Sequence, residues 1–187
     1  MIVDEEAAIR ERHWHPQPGE VVIDVGSCDG AYTIPALEAG ATVYAIDARA
    51  HTLDAIPHHP SLVKIHRAIY DGRAYPPELL DAIANGPHAS SREMVSDARW
   101  STIDSFRWPR VDWIKIDVEG GELGVLRGAV STIIKHHPKL LIEDHSRVYP
   151  WVAQNAGTER ILALLAAHGY DTQHVTDTYP DYIVATR

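Results

Sequence analysis

The segment VIDVGSCDGAYT, residues 22–33, places the strongest constraint on the fold of this chain. The apolar run Val21–Val25 is interrupted only by Asp24, which is the pattern of a strand buried on both faces. Gly26 and Gly30 follow it, so the backbone can turn tightly at the strand end and again where a helix begins. This order of strand, glycine turn and helix predicts an α/β fold with a mostly parallel sheet.

The remainder of the chain continues the alternation of short β-branched runs and helical patterns. Further strands are predicted at 42–46, 61–66, 111–116, 140–142, 170–175 and 182–185. Helices are predicted at 31–40, 49–56, 121–135 and 158–168, with one short helix at 77–84 inside an irregular stretch, 69–92. The last two strands flank a short proline-containing turn, which predicts an antiparallel C-terminal hairpin at one sheet edge.

Two helices carry more detailed predictions. The helix at 121–135 has an apolar face formed by Leu123, Leu126, Val130, Ile133 and Ile134. The helix at 158–168 has Thr158 at its expected N-cap. Together the elements predict a single Rossmann-like domain over residues 1–187, with its core at 20–187 and an N-terminal extension at 1–19.

Composition excludes several classes of protein. A formal net charge of −9 without a basic stripe disfavours a nucleic-acid partner. No apolar run has the length of a membrane span, and the N-terminal stretch MIVDEEAAIRERHWH lacks the apolar core of a signal peptide. Cys28 is the single cysteine, which is consistent with a reducing compartment. We therefore expect a cytoplasmic protein with no membrane partner.

The glycine loop has the chemistry of a ligand site. Its spacing is G-x-x-x-G, whereas dinucleotide-binding enzymes use G-x-G-x-x-G. A carboxylate inside a buried strand is costly unless it is paired, so we expect Asp24 to meet a cationic ligand group or the amides of the loop. S-adenosylmethionine (SAM) offers an ammonium and a carboxylate, which suit Asp24 and a helix N-terminus. The alternative is a glycine turn that binds nothing.

Asp47 ends the second predicted strand, about 20 residues after the glycine loop. A carboxylate at this position accepts hydrogen bonds from the two hydroxyls of a ribose. The alternative is that it acts as the N-cap of the helix at 49–56. The two roles are compatible.

A second acidic site is predicted at the ends of the fourth and fifth strands. IKIDVEGGE places Asp117 at the end of one strand, and LIEDH places Glu143, Asp144 and His145 at the end of the next. Neighbouring parallel strands would bring these groups into one crevice, where carboxylates repel unless they share protons, bind a cation or hold a donor such as Lys115. The same segment contains Glu119 and Glu122. We expect Glu122 to complement the helix dipole.

The segments VIDVGSCDGAYT, WSTIDSF, IKIDVEGGELGVLRGA and LLIEDH together resemble the FkbM-type SAM-dependent methyltransferases over about residues 21–145. The resemblance implies O-methylation of hydroxyls on small molecules, sugars or polyketides. It implies SAM contacts from Asp24, Gly26, Ser27, Asp29, Gly30, Tyr32, Asp47, Ala48 and Asp117. The loop departs from the family's usual GAN-x-G, the acid at 47 is usually glutamate, and the region 67–99, where acceptor-binding elements could lie, is short.

Methyl transfer to a hydroxyl requires a base, a metal ion that acidifies the hydroxyl, or both. We favour His145 as the base, supported by Asp117 and Glu119, with no obligatory metal. A divalent cation held by Asp117, Glu119 and Glu143 is the alternative. The expected partner is a small molecule with a hydroxyl, and a homo-oligomer could complete an open acceptor side. Two other functions stay open, namely a non-catalytic SAM-binding or scaffold protein and a nicotinamide-dependent oxidoreductase.

Overall fold

The computed structural model describes residues 5–72, 99–149, 152–153 and 157–187. Its strands are β1 (Val21–Val25), β2 (Thr42–Asp47), β3 (Leu62–His66), β4 (Ala68–Ile69), β5 (Trp100–Ser101), β6 (Trp113–Ile116), β7 (Lys139–Asp144), β8 (Asp171–Val175) and β9 (Asp181–Thr186). Its helices are α1 (Glu5–His13), α2 (Thr33–Glu38), α3 (Ala50–Ala55), α4 (Glu122–Arg127), α5 (Val130–His136) and α6 (Thr158–Ala167), with 3₁₀ turns at Ile103–Phe106 and His145–Arg147.

Seven strands form one sheet in the order β3-β2-β1-β6-β7-β9-β8. Strands β3, β2, β1, β6 and β7 are parallel, whereas β9 pairs antiparallel with both β7 and β8. The short strands β4 and β5 pair in a separate parallel ladder. The predicted Rossmann-like fold with an antiparallel C-terminal hairpin is confirmed.

The central strands are apolar on both faces because both faces are covered. All four residues of β6 are buried, and so are the last four of β1. One apolar cluster includes Ile23 and Ile114, and a second includes Val22 and Trp113, so successive residues of these strands enter different clusters. This is the pattern of a parallel sheet between two helical layers.

The N-terminal helix α1 packs onto the second of these clusters. Ile9 is completely buried, and Trp14, just past the helix, is 5% exposed. The Trp14 ring meets the rings of Tyr32 and Trp113 edge-on, with centroids 5.5 and 5.1 Å away. Its Nε1 donates to the carbonyl oxygen of Tyr32 at 3.1 Å. Part of the predicted extension therefore packs against the residue that precedes α2.

The helix predicted at 121–135 is two helices, and that prediction was wrong. Helix α4 ends at Arg127 with Gly128 as its C-cap, and α5 begins at Val130 with Ala129 as its N-cap. Asp104, from the first 3₁₀ turn, accepts hydrogen bonds from the amides of Ser131 and Thr132 at 2.9 and 2.8 Å. This side chain satisfies amides at the start of a new helix. Because the helix restarts here, the predicted apolar face is not continuous, and Ile134 is 53% exposed.

Thr158 is the first residue of α6, and Gly157 occupies the N-cap position, so the predicted cap was also wrong. The Thr158 hydroxyl instead donates to the buried Asp144 carboxylate, and this bond ties the start of α6 to the end of β7. The helix predicted at 77–84 lies outside the described residues. Within the ranges that the structure covers, no helix has the length and apolar character needed to cross a membrane.

Candidate active site

The sheet order places the two predicted sites side by side. Strand β6 lies between β1 and β7, so its carboxyl end meets the glycine loop on one side and the end of β7 on the other. The Asp117 amide donates to the Val25 carbonyl at 3.0 Å, which extends the β1–β6 pairing to the site itself. Ligands bind at the carboxyl ends of strands in sheets of this kind.

Gly26 is required by the contact between these two strand ends. Its φ of +78° lies in the left-handed region, and a Cβ at this position would lie 1.7 Å from the Asp117 carbonyl oxygen. Gly30 also has a positive φ, +96°, just before α2. The predicted tight turns at both glycines are therefore present. The backbone that approaches Gly26 in this structure is that of β6.

Asp24 is completely buried in the middle of the sheet. Its Oδ2 accepts a hydrogen bond from the Thr33 hydroxyl at 2.6 Å, rather than from the loop amides. Burial raises the pKa of Asp24, and the nearby Lys115 ammonium offsets part of that effect. Among the described residues, neither Oδ1 of Asp24 nor the buried hydroxyl of Ser27 has a hydrogen-bond partner.

Asp47 lies at the end of β2 with its side chain 3% exposed. Its Oδ2 accepts from the Cys28 amide at 2.9 Å, so the carboxylate is tied to the glycine loop. Its Oδ1 accepts from the amide and from Nε of Arg49, at 2.7 and 3.2 Å. The N-cap position of α3 is occupied by Arg49, so the proposed capping role of Asp47 is not observed.

The other predicted cofactor residues lie around this loop with different exposure. Asp29 is exposed, whereas Tyr32 is 2% exposed. The Lys115 ammonium lies 4.6 Å from the centre of the Tyr32 ring. The carbonyl oxygen of Ala48 is 3.0 Å from Nε2 of His66 on β3.

His145 lies at the centre of the second site. Its Nδ1 is 2.9 Å from Oε1 of Glu122, and its Nε2 is 3.5 Å from Glu119, 3.7 Å from Glu143 and 3.9 Å from Asp117. We call these five residues the carboxylate–histidine cluster. The predicted convergence of Asp117, Glu119, Glu143 and His145 is observed, and Glu122 joins them. The Asp144 carboxylate, predicted to share this crevice, instead accepts from Ser146 and Thr158.

Charges within the cluster strongly affect proton binding. Burial alone lowers the pKa of His145, but the carboxylates of Glu122, Asp117 and Glu119 outweigh it and raise the pKa to about 10. Burial, together with repulsion from Asp117, raises the pKa of Glu143 to about 8. The imidazole is therefore cationic at neutral pH, and Glu143 holds its proton over most of the neutral range.

Lys115 supplies a further positive charge next to the cluster. Its Nζ lies 2.9 Å from Oδ2 of Asp117, and its side chain is 3% exposed. Burial lowers the pKa of Lys115, but Asp117 and Asp24 more than compensate, so the pKa is raised. Burial raises the pKa of Asp117, but Lys115 and His145 reverse this and hold it below its usual value. The predicted use of Lys115 as a donor to these carboxylates is present.

Three residues contact this site in ways that the sequence did not predict. Glu122 was expected only to complement a helix dipole, but it is 1% exposed and its Oε1 also accepts from the Gly120 amide at 2.8 Å. The Tyr149 hydroxyl donates to Glu119 at 2.7 Å, and the Tyr182 hydroxyl donates to Glu143 at 3.0 Å. Tyr149 lies four residues after His145, a spacing that could have suggested contact. Tyr182 comes from the C-terminal hairpin and has no comparable local signal.

Three members of the cluster could hold a cation. Asp117, Glu143 and His145 each offer one ligand atom, and these atoms lie within 4.8 Å of one another. In this set His145 takes the place of Glu119 in the predicted one. The Glu119 carboxylate accepts from the Tyr149 hydroxyl, whereas Nε2 of His145 faces Asp117. Oxygen and imidazole ligands of this kind suit a divalent transition-metal ion.

A family model described as the methyltransferase FkbM domain matches residues 24–172 of this sequence. The chain belongs to the FkbM methyltransferase family. The matched range contains the glycine loop, Asp47 and the whole carboxylate–histidine cluster. Tyr182, which donates to Glu143, lies beyond it. No curated protein matches this FkbM-family chain in a sequence search.

Solved structures share the fold of this FkbM domain. The methyltransferase FkbM from Methylobacillus flagellatus KT is 18% identical with a TM-score of 0.64, and the match covers 95% of this chain and 46% of that one. A SAM-dependent methyltransferase from Mesorhizobium loti is 13% identical with a TM-score of 0.57, covering 97% and 96%. One from Aquifex aeolicus is 14% identical with a TM-score of 0.51, covering 98% and 88%. The chain thus spans about half the length of the Methylobacillus protein.

Proposed function

We propose that this chain binds SAM at the glycine loop and transfers its methyl group to a hydroxyl of a small molecule, such as a sugar or a polyketide-type metabolite. One observation carries the proposal. The loop at Gly26 packs directly against Asp117, and Asp117 lies 3.9 Å from Nε2 of a histidine held by Glu122. A cofactor site and a proton-transfer group therefore share one sheet edge.

The residues around the loop fit the cofactor. Among the residues that the structure describes, Asp24 and Ser27 leave buried polar atoms without hydrogen-bond partners, and such atoms are costly unless a ligand satisfies them. Asp47 has the position of a ribose-binding carboxylate. The residues proposed to hold SAM are Asp24, Gly26, Ser27, Asp29, Gly30, Tyr32, Asp47, Ala48 and Asp117. When bound, the cofactor supplies an electrophilic methyl group on a positively charged sulfur.

The charge of the carboxylate–histidine cluster favours a cationic ligand. The cluster has four carboxyl groups and one imidazole, and Lys115 contributes one further positive charge. A proton on Glu143 removes one of the four negative charges at neutral pH. One negative charge remains in excess. A positive charge bound at this edge is therefore attracted, and it lowers the pKa values of its neighbours.

His145 is the proposed general base, with Asp117 and Glu119 beside it. In the free protein its pKa of about 10 keeps it protonated, so it cannot accept a proton at neutral pH. A positive charge held next to the cluster would lower that pKa and release the proton from Nε2. Nε2 could then accept the proton of an acceptor hydroxyl, while Glu122 keeps Nδ1 in place. On this proposal the cofactor binds before the acceptor is deprotonated.

A metal-assisted reaction is the competing mechanism. A divalent ion on Asp117, Glu143 and His145 would acidify a bound hydroxyl directly, and His145 would then be a ligand. The favoured proposal needs no metal. Turnover in the presence of a chelator separates the two, because activity lost on chelation and restored by a divalent salt would require the metal.

The decisive experiment measures both SAM binding and methyl transfer. Calorimetric titration should show saturable binding of SAM and none of NAD, since the glycine spacing departs from the dinucleotide motif. Labelled SAM should then pass its methyl group to members of a panel of sugars and phenols. Asp24→Ala should abolish SAM binding, and His145→Ala should lower turnover about 10²–10⁴-fold with SAM affinity nearly unchanged. Binding without transfer to any acceptor would favour a non-catalytic SAM-binding protein.

A further inference from the structure

The ribose-binding position proposed for Asp47 is already engaged by a neighbouring cation. Nε of Arg49 lies 3.2 Å from Oδ1 of Asp47, and the same oxygen accepts from the Arg49 amide at 2.7 Å. The other oxygen, Oδ2, accepts from the Cys28 amide at 2.9 Å. Three donors from the chain therefore converge on one carboxylate.

The number of hydrogen bonds that the Asp47 carboxylate can accept is limited. A carboxylate offers about four acceptor sites, two on each oxygen. Both sites on Oδ1 of Asp47 are taken, and one of the two on Oδ2 is taken. One site is left. A ribose presents two neighbouring hydroxyls, so both can donate to Asp47 only after one of the present donors has left.

The Arg49 side chain is the donor that can leave. The Cys28 and Arg49 amides belong to the backbone at the glycine loop and the start of α3, so they cannot move without changing the fold. The Arg49 side chain is 24% exposed and has solvent within reach, whereas Asp47 is 3% exposed. Because the Arg49 side chain is partly exposed, solvent screens its attraction to Asp47 and can hydrate the guanidinium when it leaves.

We propose that Arg49 competes with the cofactor ribose for Asp47 and thereby limits SAM affinity. The inference rests on the proposed function, because it takes the Asp47 carboxylate as the ribose acceptor. Removal of a side chain at a binding site usually weakens binding, but here the opposite is expected. Removal of the Arg49 side chain should strengthen the binding of ligands that carry ribose hydroxyls.

The test compares Arg49→Met with wild type by calorimetric titration with adenosine and with 2′,3′-dideoxyadenosine. Affinity for adenosine should rise about 2- to 5-fold, the range for losing a weak competing ion pair. Affinity for the dideoxy compound should not change. Arg67→Met is the matched control, because the Arg67 side chain donates to the His66 carbonyl at 2.7 Å rather than to the Asp47 carboxylate. The Arg67 amide, which donates to the Asp47 carbonyl oxygen, is kept in this variant. Arg67→Met should leave both affinities unchanged.

A double-mutant cycle tests whether the gain in adenosine affinity depends on the Asp47 carboxylate. In an Asp47→Asn background, where the charged competitor has lost its partner, Arg49→Met should give no further gain. Arg49→Lys keeps the charge but lacks Nε, and an intermediate gain for adenosine is expected. This variant also serves if Arg49→Met fails to fold, which a thermal melt would show.

The outcomes separate this inference from the function on which it rests. If wild type binds SAM and adenosine but Arg49→Met binds adenosine equally or more weakly, the competition is disproved and the proposed function stands. An equal gain for the dideoxy compound would also disprove it, because the effect would not involve ribose hydroxyls. If wild type and Arg67→Met both fail to bind SAM and adenosine, the proposed function fails and the inference fails with it.

Discussion

Oε1 of Glu122 and Nδ1 of His145 lie 2.9 Å apart, on side chains that are 1% and 5% exposed. Because Glu122 also accepts from the Gly120 amide, its carboxylate is held at the entry of α4. The contact directs the imidazole so that Nε2 faces Asp117, Glu119 and Glu143. A carboxylate that holds one ring nitrogen in this way sets the orientation of the imidazole and stabilises its cationic form.

Replacing Glu122 by Gln should lower the pKa of His145. The substitution keeps the shape of the side chain but removes the negative charge that contributes most to raising the pKa of His145. We expect the pKa to fall by about one pH unit or more, and turnover to fall at least about 10-fold because the ring is less well oriented. An NMR titration of the His145 ring measures the first effect. Glu159→Gln, an exposed acid on α6, is the control, and an unchanged pKa in Glu122→Gln would refute the assignment.

Protein stability should decrease between about pH 5 and pH 10. Folded His145 keeps its proton up to about pH 10, whereas the unfolded side chain releases it near 6.5, so its contribution is complete below 6.5 and lost by 10. Glu143 acts with the same sign, because its pKa is raised from 4.5 to about 8 and the folded state again binds the extra proton. Stability therefore falls as each window is crossed.

Urea denaturation at a series of pH values measures this decrease. The net charge of −9 also produces repulsion at high pH, so wild type alone is insufficient. His145→Gln should flatten the profile between pH 6.5 and 10, and Glu143→Gln should flatten it between 4.5 and 8. Each pH unit between folded and unfolded pKa values corresponds to about 1.4 kcal/mol. Profiles of both variants that run parallel to wild type would show that the cluster is not the cause.

Gly26→Ala should be far more costly than Gly30→Ala. Both glycines have positive φ, but a Cβ at Gly26 would meet backbone atoms of Asp117, whereas at Gly30 it would meet the side chains of Ile34 and Ile56 at 3.2 Å. We expect a loss of more than about 3 kcal/mol for Gly26→Ala and about 1–2 kcal/mol for Gly30→Ala. Equilibrium denaturation of the pair is the measurement. Equal losses would mean that backbone strain, rather than the β1–β6 contact, determines the cost.

Trp14→Ala should destabilise the whole domain rather than only release the N-terminal helix. The ring is buried against Tyr32 and Trp113, and truncation of a buried tryptophan costs about 3–5 kcal/mol. Trp100→Ala is the matched control, because Trp100 is 45% exposed, and we expect a loss below about 1 kcal/mol. Similar melting temperatures for Trp14→Ala and wild type would show that α1 contributes little to stability.

Sequence reasoning worked where the signal is local. The apolar run of β1 and the two glycines predicted a strand, a turn and a helix, because each residue type acts on its own backbone. The acids at the ends of β6 and β7 were predicted to converge because neighbouring parallel strands leave little freedom. Asp117, Glu143 and His145 do meet, within 4.8 Å.

Prediction failed where a distant residue decides the local structure. The helix at 121–135 looks continuous from its apolar spacing, but Asp104 supplies a cap from 27 residues away and a second helix starts there. Glu122 could be assigned to a helix dipole until the position of His145 was known, since their contact spans 23 residues. Tyr182 is a similar case, because its hydroxyl reaches Glu143 across 39 residues and no sequence pattern links the two.

The position of β9 between β7 and β8 has a consequence for the order of assembly. Strand β7 can pair with β6 early, but its other edge can pair only with residues 181–186, which are synthesised after the other six strands of this sheet. Tyr182 belongs to that strand, and its hydroxyl donates a hydrogen bond to Glu143. During synthesis, a nascent chain could therefore have its glycine loop in place while the proton-transfer site is still incomplete. On the proposed function, the SAM-binding loop would therefore form before the site proposed for proton transfer.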